Sequence, residues 1–555
     1  MTIARRPPEQ VMRLSRLGSL HACRLSFMRQ LTRRMAAEDW RFTRTEFAID
    51  ATGEGHAVYT ATGPERSYSL VAFAHDLPDE KRSDRVIADA WDATFALFDG
   101  VPTKADITRL AKNVPRQEAG RISETELSLS RANRSVRLWE HVVDALAHGR
   151  QPDASEIAQV GYLMRTTAVY GSGKFGAADR EMIAGRPEMQ APFQAEMLSV
   201  YLTRWFVRDL VEHMAQARGG AGAARLDPDI ARRLGIGNST GLGMAPFIIN
   251  HPVLFNNWIM AREEAIARVR AVEHATRNEI SQFHEIFRRA GASVDDWGSE
   301  HPWQIEKLTA LRADIARLRG YFATHEFTGT YPWDRLASWA EKHIAEDAQE
   351  WLLSLMLEPY ARLVDDLGGC MADPLGPTTI DGAMPVGQVR ALLKGSFEWA
   401  LDLDWDAPEN CARLWYVSEE KLEPRLGARF DEPLEPYEQP LAPARDAAAA
   451  YRELARFGAD TPISEFLEAR PEFRHVIRRA QIAGFAPYAE IRDNTIGADV
   501  MPIDMLRAKL SFFGATHFDP RSDRWVRICM YAGAPYPDEL TPGSADFWTY
   551  PEVAA

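Results

Sequence analysis

The chain has 555 residues, several times the usual size of one domain, so a sizeable hydrophobic core and more than one compact unit are expected. A composition of 46% hydrophobic and 26% charged residues excludes a wholly disordered, collagen-like or membrane-embedded chain. The net charge of −14 predicts an acidic surface that repels nucleic-acid backbones and anionic lipids, so neither nucleic acid nor membrane is expected as a partner. The four cysteines show no CxxC spacing and no stretch resembles a signal peptide, which together predict a cytoplasmic location.

The first 44 residues, called here the N-terminal arm, carry ten arginines against three acidic residues. Apolar residues between positions 10 and 35 keep helical spacing, which predicts that the arm belongs to the fold. One interpretation is a helix packed against the acidic remainder of the chain or against a neighbouring subunit. The other is contact with RNA or a membrane surface.

In chain order, the first predicted elements after the arm are three antiparallel strands at 41–49, 56–61 and 67–73. From residue 83 to about 148 the hydrophobic period becomes helical, and Ser123 with Glu126 fits a capping box at a helix start. This whole region is therefore predicted to be helical.

Helical patterns dominate the rest of the chain. The predicted helices are one from Asp153 toward 169, one over 192–216, and an antiparallel bundle of helices over 252–289, 303–324, 333–344 and 348–366. A strand is predicted at 525–531. The expected fold class is α+β and predominantly helical, with a helical-bundle core and a small antiparallel sheet formed mainly by N-terminal strands.

Composition shifts suggest where the chain divides. The glycines at 219–222 predict a flexible joint, and the prolines between 433 and 443 predict an extended connector. The resulting units are 1–100 (N-terminal helix plus strands), 101–218 (helical), 225–430 (helical bundle), 431–449 (proline-rich connector) and 450–555 (mixed helix and strand).

The most informative feature is a run of 28 residues, 234–261, that contains no Asp, Glu, Lys or Arg. Such a run is predicted to be buried, yet it is rich in Asn, Ser and Thr. Buried amides and hydroxyls need hydrogen-bond partners or cost about 1–3 kcal/mol each, so they face either protein groups or a ligand.

The start of this run, 235–243, holds four glycines in nine residues. A glycine loop lets successive N–H groups converge on an anion, with Ser239 and Thr240 adding hydroxyl donors. The stretch does not fit the dinucleotide fingerprint, because Thr240 occupies the place of its third glycine. It does fit GxSxG at 237–241, which makes Ser239 a candidate nucleophile. The alternative interpretation of the whole stretch is a structural turn that lets helices pack closely.

A second glycine-rich stretch, 170–176, is not a Walker A loop, because Ala168 and Phe175 occupy two of its required positions. It presents Tyr170 and Lys174, with Arg180 shortly after, and these groups suit a carboxylate or phosphate. A helix C-cap with a solvated lysine is the alternative interpretation.

Two further polar positions complete the candidate site. His251, beside Pro252 at a helix start, is a candidate general base or else a buried capping residue. Asn494 lies in a polar turn and is either a pocket wall or a structural turn residue. The catalytic candidates are Tyr170, Lys174, Ser239 and His251, and the substrate-binding candidates are Arg180, Gly237, Asn238, Thr240, Gly241 and Asn494.

Metal-binding motifs such as HExxH are absent from the sequence, and no cofactor is identified by it. The leading hypothesis is a cytosolic metabolic enzyme, expected to be a homo-oligomer, that binds a small anionic substrate between the two glycine stretches. Proton-transfer chemistry, as in a lyase or isomerase, fits these residues without a cofactor. The alternatives are an oxidoreductase with a flavin or another organic cofactor in the same cleft, and a non-catalytic oligomeric scaffold with a basic docking arm.

Overall fold

A computed structural model describes the greater part of the chain. The described residues are 1–81, 90–116, 122–166, 183, 185–189, 191, 193–241, 252–299, 302–372, 380–405, 407, 414–417, 422–424, 438–440, 443–483, 485–490, 502–514, 517–519 and 525–546.

One mixed sheet of nine strands forms the centre of the molecule. Its strands, in sheet order, are β1 (Arg41–Ile49), β2 (Gly55–Thr62), β3 (Ser67–Ala74), β4 (Ala93–Asp99), β5 (Glu126–Arg134), β6 (Tyr162–Thr166), β7 (Gly235–Gly241), β12 (Trp525–Met530) and β11 (His517–Asp519). Neighbouring strands are antiparallel except β6 and β7, which are parallel. The predicted fold class is therefore wrong about the sheet: it is large and mixed, and strands from the middle and the end of the chain join the N-terminal ones.

Three short strands form a second, antiparallel sheet. They are β8 (Leu414–Val417), β9 (Leu422–Pro424) and β10 (Glu438–Pro440).

Eighteen helices lie in the described parts of the chain. The first nine are α1 (Pro8–Val11), α2 (Phe27–Ala37), α3 (Lys104–Leu110), α4 (Trp139–Ala147), α5 (Ala154–Val160), α6 (Gln194–Gly219), α7 (Pro228–Arg233), α8 (Pro252–Arg270) and α9 (Arg277–Asp296). The next nine are α10 (Pro302–Thr324), α11 (Pro332–His343), α12 (Glu346–Met356), α13 (Ala361–Val364), α14 (Val386–Leu401), α15 (Pro443–Leu454), α16 (Ile463–Ala469), α17 (Arg474–Ala483) and α18 (Pro502–Phe513).

The long helix α6 lies across the sheet and explains why β6 and β7 are parallel. Parallel neighbours require a crossover connection, which in most proteins is helical, and α6 lies between β6 and β7 in the chain. Its aromatic residues pack on the strands: the ring centroids of Trp205 and Tyr59 are 5.0 Å apart, and those of Phe206 and Phe95 are 5.5 Å apart. The predicted helix over 192–216 is confirmed.

The region predicted to be helical from 83 to 148 contains two strands, so that prediction is wrong. Ser123 and Glu126 do interact, since the Ser123 hydroxyl donates to a Glu126 carboxylate oxygen at 3.1 Å, but they do so at the start of β5. Pairing with β4 on one side and β6 on the other decides the conformation. A strand buried on both faces lacks the clear alternation of polar and apolar residues that identifies a strand in a sequence.

The helices predicted over 303–324 and 333–344 are confirmed as α10 and α11. The single helices predicted over 252–289 and 348–366 are wrong, because each is divided in two, as α8 and α9 and as α12 and α13.

Helices α8 to α12 contribute to one hydrophobic cluster. Its interior holds a cluster of aromatic rings, in which the centroids of Phe283 and Trp333 are 4.9 Å apart and those of Phe287 and Trp351 are 5.2 Å apart. Helix α9 begins at a capping box formed by Thr276 and Glu279. No helix in the described ranges is both long enough and apolar enough to cross a bilayer.

Helices α14 to α17 form a hydrophobic cluster distinct from the main one, whereas described hydrophobic residues between Tyr488 and Tyr536 belong to the main cluster, together with described residues between Val11 and Leu367. The division of the chain into units made from the sequence stays a prediction.

The N-terminal arm is packed into the body of the protein. Arg6 lies between two buried carboxylates, with its Nη2 2.8 Å from Glu263 and its Nη1 2.6 Å from Glu350. Arg29 lies 2.6 Å from the buried Glu358. The interpretation of the arm as a segment packed against the acidic remainder is confirmed.

Candidate functional site

The parallel strands β6 and β7 are adjacent, and β7 continues to Gly241, beyond the end of β6. Thr166, the last residue of β6, is the register partner of Asn238 in β7. Loops that leave the carboxyl ends of adjacent parallel strands meet at one edge of a sheet, where α/β proteins usually bind ligands. We call this edge, together with the side chains around Thr166 and Asn238, the strand-end site.

Most of the predicted catalytic residues follow these two strand ends in the chain. Tyr170, Lys174 and Arg180 come after β6, and His251 comes after β7. These four residues and Asn494 lie outside the described residues. The structure therefore gives the residues after which the segments carrying the first four begin, namely Thr166 and Gly241, which lie on neighbouring strands.

The glycine stretch forms a strand where the sequence predicted a loop. Residues 235–241 are β7, with β6 paired on one side and β12 on the other. Backbone amides of β7 that form hydrogen bonds to β6 or β12 are used within the sheet, so those amides cannot form the expected anion cradle. Ser239 pairs with Arg527 of β12 within the strand, and so it does not lie on the strand-to-helix elbow that a GxSxG nucleophile requires.

Close packing explains two of the glycines. A Cβ on Gly237 would lie 2.6 Å from the ring of Tyr162, and a Cβ on Gly235 would lie 2.4 Å from the carbonyl oxygen of Met530. Gly237 therefore shapes the sheet surface beneath Tyr162. The substrate-binding roles assigned to Gly237, Asn238, Thr240 and Gly241 stay predictions. Of these residues, Asn238 binds the amine of a buried lysine.

Asn238 links the two strand ends to helix α18. Its side-chain amide donates to the backbone carbonyl of Thr166 at 3.0 Å, and its carbonyl oxygen accepts a hydrogen bond from the Lys509 amine at 2.6 Å. Lys509 is only 1% exposed, and Asn238 is 3% exposed. The site thus contains a buried lysine amine that the sequence analysis did not select.

Burial changes the acid–base chemistry of Lys509. Loss of hydration disfavours the ammonium form, and this holds the pKa of the Lys509 amine well below its usual range. A lysine of this kind can accept a proton or act as a nucleophile near neutral pH. The sequence signal was available, because Lys509 is one of only nine lysines and lies in a mostly apolar helix, but its pairing with Asn238 was not visible.

Thr166 adds a second polar position to the strand-end site. Its hydroxyl is buried and has no hydrogen-bond partner among the described residues. In a parallel pair, register partners project from the same face of the sheet, so the Thr166 and Asn238 side chains lie on one face. A buried hydroxyl without a partner costs about 1–3 kcal/mol, and a ligand in the site would remove that cost.

The described side chains of the charge-free run are buried or partly buried, as predicted. Its amides also have protein partners: the Asn256 carbonyl oxygen accepts the backbone N–H of Tyr488 at 3.0 Å. Asn256 therefore stabilises the fold. Among the described residues of the run, those that concern a ligand are the ones around Asn238.

Within the described ranges, no group of three or more His, Cys, Asp or Glu side chains is arranged to hold a metal ion. Comparisons of the chain with protein-family models, with curated proteins and with solved structures found no match.

Proposed function

We propose that the protein is an enzyme that acts on a small anionic substrate by proton transfer, as a lyase or isomerase does, and that the substrate binds at the strand-end site. The observation that carries the proposal is the buried Lys509 amine bound to Asn238, which lies opposite the end of the parallel strand β6. A buried amine near the carboxyl end of a strand in a parallel pair combines a proton acceptor with the usual position of a ligand.

Each residue of the site has a proposed role. Lys509 takes or returns the proton, and Asn238 positions the amine through the 2.6 Å hydrogen bond. The Thr166 hydroxyl donates to an oxygen of the substrate, which would supply the partner that this buried group lacks among the described residues.

The segments that follow β6 and β7 complete the proposal. Lys174 and Arg180 neutralise the carboxylate or phosphate of the substrate, and Tyr170 or His251 provides a second proton-transfer group. These roles keep the prediction made from the sequence, now with the backbone of 235–241 removed from the list of anion-binding groups. The oxidoreductase and scaffold alternatives, the cytoplasmic location and the homo-oligomer stay predictions.

Solvent hydrogen exchange tests proton transfer even when the product of the reaction is not identified. The protein is incubated in D2O with a panel of small carboxylates and phosphate esters, and the loss of substrate C–H signals is followed by proton NMR. We expect exchange with at least one member of the panel, and we expect Lys509→Met to slow the maximal rate by about 100-fold or more, which is the usual contribution of a positioned acid or base.

Two further variants assign the roles. Lys174→Ala should raise the substrate concentration needed for half-maximal exchange because it removes an anion-binding charge. The matched control is Lys394→Ala, an exposed lysine on α14 that lies 3.9 Å from Glu398. If Lys509→Met exchanges protons as fast as Lys394→Ala, with both variants folded by circular dichroism, the proposed function is wrong.

A further inference from the structure

A cleft of about 430 Å³ lies between helix α15 and the segment that joins α16 to α17. Helix α15 contributes Ala449, Arg452, Glu453 and Arg456 to its wall. These residues are spaced by three or four positions, so they lie on one face of the helix. Sites for small molecules occupy about 300–1,000 Å³, so the cleft has the size of a binding site.

The wall of the cleft carries more positive than negative charge. Its three arginines, Arg452, Arg456 and Arg470, are accompanied by two carboxylates, Glu453 and Glu472. Glu453 lies 2.9 Å from Arg456 and 3.4 Å from Arg470, so two guanidinium groups share one carboxylate. Arg452 is exposed and forms no hydrogen bond or ion pair with a described residue. A guanidinium in this state can bind two oxygens of a phosphate at once.

An aromatic ring lines the same cleft. Phe473 is half-buried and stacks on the ring of Phe466, with the ring centroids 5.9 Å apart and the planes inclined by 28°. Phe466 is buried in the hydrophobic cluster of α14 to α17, so this packing holds Phe473 in place. A fixed aromatic ring that is partly open to a cleft can stack on a nucleobase of any type.

We infer that this cleft binds a nucleoside monophosphate, whose phosphate contacts Arg452 and Arg456 and whose base stacks on Phe473. Glu472, beside the ring in the chain, accepts a hydrogen bond from a sugar hydroxyl. One phosphate group carries a charge of about −1.5 to −2 at neutral pH, which the arginines of the wall can compensate. The further phosphates of a di- or triphosphate would bring more negative charge to a wall that already holds two carboxylates. The cleft shares no residue with the strand-end site, so this inference is independent of the proposed function.

Equilibrium dialysis of the full chain tests the inference with adenosine monophosphate, adenosine and inorganic phosphate. We expect the nucleotide to bind with a dissociation constant below about 1 mM at low ionic strength. Adenosine lacks the phosphate and inorganic phosphate lacks the base, so each should bind about tenfold more weakly or worse. Absence of nucleotide binding, or a nucleotide that binds no more tightly than inorganic phosphate, would overturn the inference.

Three single variants locate the bound nucleotide. Arg452→Gln should weaken nucleotide binding by about tenfold or more, because it removes charge-assisted hydrogen bonds to the phosphate. Phe473→Leu should weaken nucleotide binding by about tenfold and leave the binding of inorganic phosphate unchanged, because only the base stacks on the ring. The matched control is Arg478→Gln, which removes the same charge at an exposed position of α17 that does not line the cleft. If Arg452→Gln binds the nucleotide as tightly as this control does, the inference is wrong.

Two crossed measurements separate this inference from the proposed function. Arg452→Gln should leave solvent hydrogen exchange unchanged, and Lys174→Ala should leave nucleotide binding unchanged. Nucleotide binding that is lost in Lys174→Ala and kept in Arg452→Gln would overturn the cleft as the binding site. Binding that is weakened in Arg452→Gln and Phe473→Leu but not in Lys174→Ala supports the cleft, whether or not the protein exchanges substrate protons.

Discussion

Replacing Glu350 by glutamine tests whether the buried ion cluster holds the N-terminal arm to the body. The Glu350 carboxylate is fully buried and binds three guanidinium groups, those of Arg6 at 2.6 Å, Arg16 at 3.0 Å and Arg262 at 2.7 Å. Glutamine keeps the shape of the side chain but leaves these positive charges with one carboxylate fewer. Removing one partner of a buried ion pair costs about 3–5 kcal/mol, so we expect the free energy of unfolding to fall by that amount.

The measurement is urea unfolding followed by tryptophan fluorescence. The control is Glu398→Gln, because Glu398 is exposed and lies 3.9 Å from Lys394, and an exposed pair of this kind is worth about 0–1 kcal/mol. Adding Arg262→Met to the Glu350 variant should recover part of the loss, since it removes one of the three positive charges that Glu350 neutralised. A Glu350→Gln variant as stable as the control would refute the reasoning.

Three further predictions concern stability. Burial raises the pKa of Glu350, but its arginine partners outweigh burial and lower the pKa to about 2. The stability that the ionised carboxylate contributes is therefore present above pH ~4.5 and is lost as the pH falls toward 2. Acid titration followed by circular dichroism should show this loss, and Glu350→Gln should make stability less dependent on pH. Gly237→Ala should lower the free energy of unfolding by about 1–3 kcal/mol, because the added Cβ would meet the ring of Tyr162. Gly395→Ala, at an exposed helix position with open space around it, should raise that free energy by about 0.5–1 kcal/mol. Thermal melting compares the two variants, and equal shifts in melting temperature would contradict the packing argument. Asn238→Leu should cost about 1–3 kcal/mol because the buried Lys509 amine loses the hydrogen bond to the Asn238 oxygen. A melting temperature at or above that of the wild type would count against that hydrogen bond.

The sequence predicted the elements whose pattern is local. The three N-terminal strands alternate or carry β-branched and aromatic residues, and Asp153 does cap a helix, since its side chain accepts the backbone N–H of Ser155. That helix ends at Gly161, whose positive φ of 74° stops it well before the predicted end, and a strand follows. A glycine at this position ends a helix readily, but the start of a buried strand directly after it has no local signature.

The parts that escaped prediction depend on contacts between distant residues. Strand β7 looked like a loop because its glycines carry no strand signal, and the ring of Tyr162 and the carbonyl of Met530 that require them come from other strands. Lys509 and Asn238 are 271 positions apart, so their hydrogen bond could not be inferred from spacing. Burial of the charge-free run was predictable because it depends on composition alone.

The docking of the N-terminal arm constrains how the protein is made. Arg6 meets Glu350 across 344 positions of sequence, and Arg29 meets Glu358 across 329. During synthesis the arm leaves the ribosome long before these carboxylates exist, so its arginines remain in water and open to cellular anions or chaperones until most of the chain has been translated. Strand β7 likewise waits for β12 to cover its second edge. Final assembly is therefore expected to be slow and post-translational, as the many contacts between distant residues imply.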